Sequence, residues 1–112
     1  EKVNECIKLV QLDKMVNSIS AGTDHILLER GKNLSGGQIQ RIGIARALYF
    51  ESDIIIFDES TSSLDRVNEE KILKLIDKIS DDKTIIFISH RKEVLNFCDI
   101  TYHMENKKIY VQ

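Results

Sequence analysis

At 112 residues the chain has the length of one domain or part of one, and its 42% apolar and 30% charged content is ordinary for a water-soluble sequence. A net charge of −2, with each Lys or Arg near an acid and no basic block, gives no electrostatic basis for binding nucleic acid or an anionic membrane. Cys6 and Cys98 are too few and too far apart for a disulfide framework or a metal cluster and read as free thiols in a reducing compartment. No apolar stretch approaches the roughly 20 residues that span a bilayer. Glu1-Lys2-Val3-Asn4 has neither an initiator methionine nor a signal-peptide core, and reads as the interior of a longer chain.

In chain order, Val3, Ile7 and Val10, with Leu9, Leu12 and Val16 beside them, recur at helical spacing and predict a helix over 2–17. Residues 18–33, with Gly22, Asp24, Gly31 and Asn33, read as loop with at most one turn or short helix. A helix is expected from near Ser35 to about Tyr49, burying Ile39, Ile42, Ala45 and Leu48, with Gln40, Arg41 and Arg46 off that stripe. After a turn at Glu51-Ser52-Asp53, Ile54 to Phe57 form a buried strand. Asp65 can cap a helix from Arg66, with Glu69 and Glu70 near its positive end and Ile72, Leu75, Ile76 and Ile79 on its buried side. That helix breaks at Ser80-Asp81-Asp82, and Thr84 to Ile88 form a second buried strand. Strand, helix, strand at this spacing is a βαβ unit with parallel strands. Helix 91–97 follows, then Ile100–Met104 and Lys108–Val111 as a hairpin around Glu105-Asn106-Lys107.

Ligands of open parallel sheets sit beyond the carboxyl ends of the strands. Asp58 and Glu59 occupy that end of the first strand, and Ser89-His90 that of the second. One carboxylate there can hold Mg²⁺ through its water shell, a second can polarise a water against a terminal phosphate, and the imidazole can hydrogen-bond that phosphate. The same acid pair can equally serve a capping turn. Ser35-Gly36-Gly37 at a helix start lets a ligand approach without a Cβ in the way, towards amides at the positive end of the dipole. The plainer alternative is a serine N-cap followed by two glycines. No G-x-x-x-x-G-K-[ST] loop occurs anywhere, so the half of a nucleotide site that cradles the inner phosphates is absent from this sequence.

Residues 34–48, Leu-Ser-Gly-Gly-Gln-Ile-Gln-Arg-Ile-Gly-Ile-Ala-Arg-Ala-Leu, resemble the signature motif and following helix of ATP-binding cassette (ABC) domains. Ile54 to Glu59 resemble the Walker B strand with its catalytic glutamate, Ser62-Ser63-Leu64-Asp65 the D-loop, and His90 the switch histidine. The motifs stand in family order and cover nearly all of the chain. Glu29-Arg30-Gly31 further resembles exporter-type domains, in which a glutamate at this place lies near the coupling helices of the transmembrane part; Leu28 stands where such exporters often have glycine.

The resemblance implies an α/β fold of the P-loop NTPase (RecA-like) type. Residues 1–50 would be part of the helical subdomain, and 51–112 part of the ATPase core with a C-terminal hairpin. It implies ATP and Mg²⁺ as ligands and a cytosolic domain on the inner face of a membrane. Asp58 would orient the metal through water, Glu59 would be general base or water-positioner, and His90 would contact the γ-phosphate. Ser35, Gly36, Gly37 and Gln38 would meet the γ-phosphate of an ATP held mainly by a second nucleotide-binding domain, and Asp65 would couple the two sites. The P-loop, the adenine-stacking aromatic and the magnesium-binding glutamine would lie upstream of residue 1, in the N-terminal half of the domain; Gln11 is not that glutamine. The expected parent is an exporter with a transmembrane domain contacted near Glu29. A soluble ABC-type ATPase acting on DNA or ribosomes is the alternative, and the 112 residues alone are expected to be an inactive folding unit.

Overall fold

The computed structural model describes residues 1–28, 31–61 and 64–112. Where one helix is predicted over 2–17 there are two, α1 (Lys2–Leu9) and α2 (Asp13–Asn17). The break falls at Gln11, whose φ of 58° is left-handed. Its amide donates to the Lys8 carbonyl and that of Leu12 to Ile7, at 2.9 and 3.0 Å, which is the Schellman way of ending a helix. Burial drives it: Val10 and Leu12, on either side of the turn, are 0% and 4% exposed.

After a 3₁₀ turn at Gly22–Asp24, α3 (Gly36–Tyr49) starts at Ser35 as expected. Its inward face keeps Ile42, Ala45 and Leu48 of the predicted stripe, loses Ile39 and adds Ile44. Ile44 is the buried residue, Ile42, Ala45, Ala47 and Leu48 are partly covered, and Ile39 is 44% exposed. α1 lies along the helix, and Arg41 donates to the Val10 carbonyl at 2.8 Å, so that side of α3 also faces protein. α3 ends as α1 does, with Glu51 at φ 54°. The amides of Glu51 and Ser52 return to Leu48 and Ala47.

Strand β1 (Ile54–Asp58) pairs in parallel with β2 (Thr84–Ile88), Ile54 opposite Thr84 and Asp58 opposite Ile88. α4 (Arg66–Ile79) connects them, giving the predicted βαβ unit. The strands are buried on one face only, a correction to the reading of both as wholly buried. Ile55 and Phe57 point into the core, and Phe57 stacks on Phe87 with centroids 5.0 Å apart. Ile54, Ile56, Ile86 and Ile88 point out, the first two 58% and 61% exposed. An unbroken apolar run carries no period-2 signal, so the sequence could not tell one covered face from two.

The core is one cluster of Val10, Leu12, Ile44, Ile55, Phe57, Leu64, Ile72, Leu75 and Ile76, in which α4 is the largest contributor. α5 (Lys92–Phe97) follows β2 and buries Val94, while Phe97 meets the Phe87 ring edge-on. The antiparallel pair β3 (Tyr102–Glu105) and β4 (Lys108–Val111) forms the expected hairpin, starting two residues later than Ile100. Asn106 and Lys107 both have positive φ, as a two-residue loop of this twist requires.

Candidate functional site

Asp58 is the last residue of β1, and Glu59 is the first beyond it. The Glu59 amide still donates to the Ile88 carbonyl at 2.9 Å, so the parallel ladder extends one step past the strand. There the chain turns sharply, with Glu59 at φ 46°. Gln11 and Glu51 take the same conformation to end helices, whereas Glu59 takes it at a strand end. The turn leaves its carboxylate at the rim, where Nε2 of His90 lies 3.5 Å from Oε1. Asp58, Glu59 and His90 thus share one edge of the parallel pair, as strand polarity predicts. His90 is held by its neighbours alone: its side chain is 93% exposed and has no hydrogen bond among the described residues.

The start of α3 is a complete capping box. The Gln38 amide donates to Ser35 Oγ at 3.2 Å, and Gln38 Oε1 accepts from the Ser35 amide at 2.8 Å. The plain N-cap reading of Ser35 is therefore true as local structure, and the Gln38 side chain is engaged in it. The amides of Gly36 and Gly37 have no hydrogen-bond partner among the described residues. Among the described residues a Cβ on Gly37 would meet nothing closer than Asn68 Oδ1 at 3.8 Å, an ordinary contact, so their packing does not require glycine there.

Asn68 belongs to the start of α4. Asp65 caps that helix with both oxygens: Oδ1 accepts from the Asn68 amide at 2.9 Å and Oδ2 from its side-chain nitrogen at 2.8 Å. Those bonds, the backbone one first, hold the Asp65 carboxyl below its usual range. Ser62, Ser63, Glu29 and Arg30 lie outside the described residues. Two assemblies result, the Asp58–Glu59–His90 rim and the paired helix starts at Ser35–Gly37 and Asp65–Asn68. Gln40 links α3 to the rim side, donating through Nε2 to Ser60 Oγ at 3.3 Å. No direct hydrogen bond or ion pair joins Ser35 or Gly37 to Glu59 or His90 among the described residues.

The sequence reading missed Glu69 and Arg91. Glu69, expected only as an acid near the positive end of a helix, is 1% exposed. Arg91 Nη2 lies 2.8 Å from its Oε2, too oblique for a hydrogen bond and close enough for an ion pair. The partners are far apart in sequence, and nothing local announces them.

A phosphate fits this arrangement on two counts, the open Gly36 and Gly37 amides at a helix start and an exposed imidazole on the rim. For a magnesium ion the chain offers less. No group of three His, Cys, Asp or Glu side chains converges among the described residues, and Asp58 would offer one hard-oxygen ligand. That suits an ion bound mostly by water and phosphate.

The ABC transporter family pattern matches residues 2–62. HlyB of Escherichia coli, an alpha-hemolysin translocation ATP-binding protein, is 41% identical over the whole of this chain, which spans 16% of it. LagD of Lactococcus lactis, a lactococcin-G-processing and transport ATP-binding protein, is 46% identical over 88% of this chain and 14% of its own length. Among solved structures, a bacterial Atm1-family ABC exporter with ATP bound superposes with a TM-score of 0.79 at 31% identity. The match covers 95% of this chain and 18% of that one. The chain belongs to the ABC transporter family, as sequence of the nucleotide-binding domain. Its fold is that of the ABC ATPases, and it spans under a fifth of the exporters just described.

Proposed function

We propose that this chain supplies half of an ATP-hydrolysing site in an exporter. Residues 1–50 belong to the helical subdomain and 51–112 to the RecA-like core. The observation that carries the reading is the Glu59–His90 approach of 3.5 Å at the carboxyl edge of the parallel strands. Glu59 takes the proton of the attacking water, and His90 donates a hydrogen bond to the terminal phosphate from the same rim. Ser35, Gly36, Gly37 and Gln38 form the anion-facing helix start, closing on a γ-phosphate whose inner phosphates rest on the P-loop of a second nucleotide-binding domain. Asp58 would hold a magnesium ion through water, and the ion when bound neutralises phosphate charge. Asp65, fixed by Asn68, faces the domain partner. The segment near Glu29 contacts a transmembrane domain, which places the site at the cytoplasmic face of a membrane.

The roles in the names of these two relatives, translocation and processing with transport, favour export over a soluble ATPase acting on DNA or ribosomes. In the full-length protein, Glu59→Gln lowers hydrolysis by about 10²–10⁴ and leaves ATP binding intact, because it removes proton acceptance and keeps the phosphate contacts. Turnover within a few-fold of wild type would end the assignment. The isolated 112 residues, with no P-loop lysine or amides, bind Mg-ATP more weakly than about 1 mM and do not hydrolyse it. Calorimetric titration checks the first point.

A further inference from the structure

Arg91 stands one residue beyond His90, and its guanidinium reaches two other segments of the chain. Nη1 donates to the carbonyls of Thr61 and Leu64, each 3.1 Å away, and Nη2 pairs with Glu69 at 2.8 Å. Its own amide donates to Ser89 Oγ at 3.1 Å, which fixes the turn that carries His90. Thr61 and Leu64 lead into Asp65, and Glu69 lies in the first turn of α4, so one side chain ties the rim to the capped helix start. A carboxylate as buried as Glu69 is strongly unfavourable without a counter-charge, and Arg91 provides it. Only a planar fork with several donors can serve two carbonyls and a carboxylate together; an ammonium cannot span them.

We propose that Arg91 is a positioning residue for hydrolysis, clamping the His90 turn to the carbonyls of Thr61 and Leu64 ahead of Asp65, with Glu69 as its fixed counter-charge. The His90 side chain makes no hydrogen bond among the described residues, so its place on the rim depends on the anchored residues either side. The clamp makes the group facing the phosphate and the helix start facing the domain partner shift together. This rests on the function proposed above.

The test is steady-state hydrolysis of Mg-ATP by the full-length protein, with thermal unfolding of each variant. Arg91→Met lowers kcat by about 10- to 100-fold with KM within about 3-fold, the scale of a misplaced but intact catalytic group. Arg91→Lys falls between. The double variant Arg91→Met/Glu69→Met regains thermal stability, since neither charge is left without its partner, while its kcat stays as low as that of Arg91→Met. Recovery of kcat together with stability would overturn the proposal and leave a structural ion pair. So would an Arg91→Met protein that turns over at the wild-type rate while Glu59→Gln is inactive. Wild-type hydrolysis indifferent to Glu59→Gln would remove the functional reading, and this inference with it.

Discussion

α3 and α4 are each 14 residues long, each begins at a side-chain cap, and Gly37 of one lies against Asn68 of the other. Beyond the first turn they differ. α4 buries Glu69, Ile72, Leu73, Leu75 and Ile76 and is the centre of the core, whereas α3 buries Ile44 alone. At the cap the contrast has the opposite sense. α4 begins with a carboxylate whose two oxygens are both occupied, and α3 begins with a neutral hydroxyl and two glycine amides open to an anion. One helix start answers its dipole with a carboxylate, and the other with a neutral capping box that leaves two amides without a partner among the described residues. A helix that carries little of the core can give its N-terminus to a ligand without unsettling the fold.

The largest expected effect tests the packing half of this contrast. Ile72→Ala destabilises the protein by about 2–5 kcal/mol, as a cavity in a closed core does. Ile39→Ala on α3 changes stability by less than about 0.5 kcal/mol. Chemical denaturation of the two variants reads the difference, and equal losses would show that α3 is as structural as α4.

The next effect tests the cap half. Gly37→Glu places a negative charge where an anion is expected, and a like charge in a water-poor interface costs several kcal/mol. ATP-dependent crosslinking across the domain dimer, and with it hydrolysis, should fail by about 10²-fold while ATP binding to the partner's P-loop is little changed. An unchanged crosslink yield would reduce the α3 start to a cap. Smaller still, Ser35→Ala loses about 1 kcal/mol of stability with the capping box, while Ser35→Asp keeps the cap and loses hydrolysis.

The smallest effect concerns acid. The folded-state carboxyl of Asp65 sits below the ordinary value of 3.8, so its capping contribution is complete above that value and is lost as pH falls through the depressed one. Asp65→Asn caps without titrating. Thermal midpoints measured from about pH 5 down to about pH 2 should fall less steeply in that variant than in wild type.

What could be read ahead of the structure divides along the same line. The starts of α3 and α4 were legible because a cap is a local event, written in Ser35 and in Asp65 before an apolar period, although the part of Gln38 in the first cap emerged only with the structure. Both strands and the Asn106–Lys107 turn were legible for the same reason. The break at Gln11 was not, because it is imposed by the burial of Val10 and Leu12 and uses a residue that carries no turn signal. The Glu69–Arg91 pair was not, because its partners meet only after β2 has returned beside β1. The inward stripe of α3 was legible at Ile42, Ala45 and Leu48, whereas the burial of Ile44 in place of Ile39 depends on neighbours that the sequence of α3 alone does not contain. Placing Glu59 beside His90 needed only the polarity of two strands and their adjacency.

Position 59 is where two rankings of the amino acids disagree. At φ 46° the backbone favours glycine, then asparagine and aspartate, and is equally unkind to glutamate and glutamine. A library of substitutions at 59, scored for folded yield, should therefore put glycine and asparagine above the resident residue. Scored for turnover, it should leave glutamate alone at the top. Because glutamine shares the backbone penalty, its comparison with glutamate isolates side-chain chemistry from conformation. The glycine variant does the reverse, showing how much stability this turn gives up to present a carboxylate.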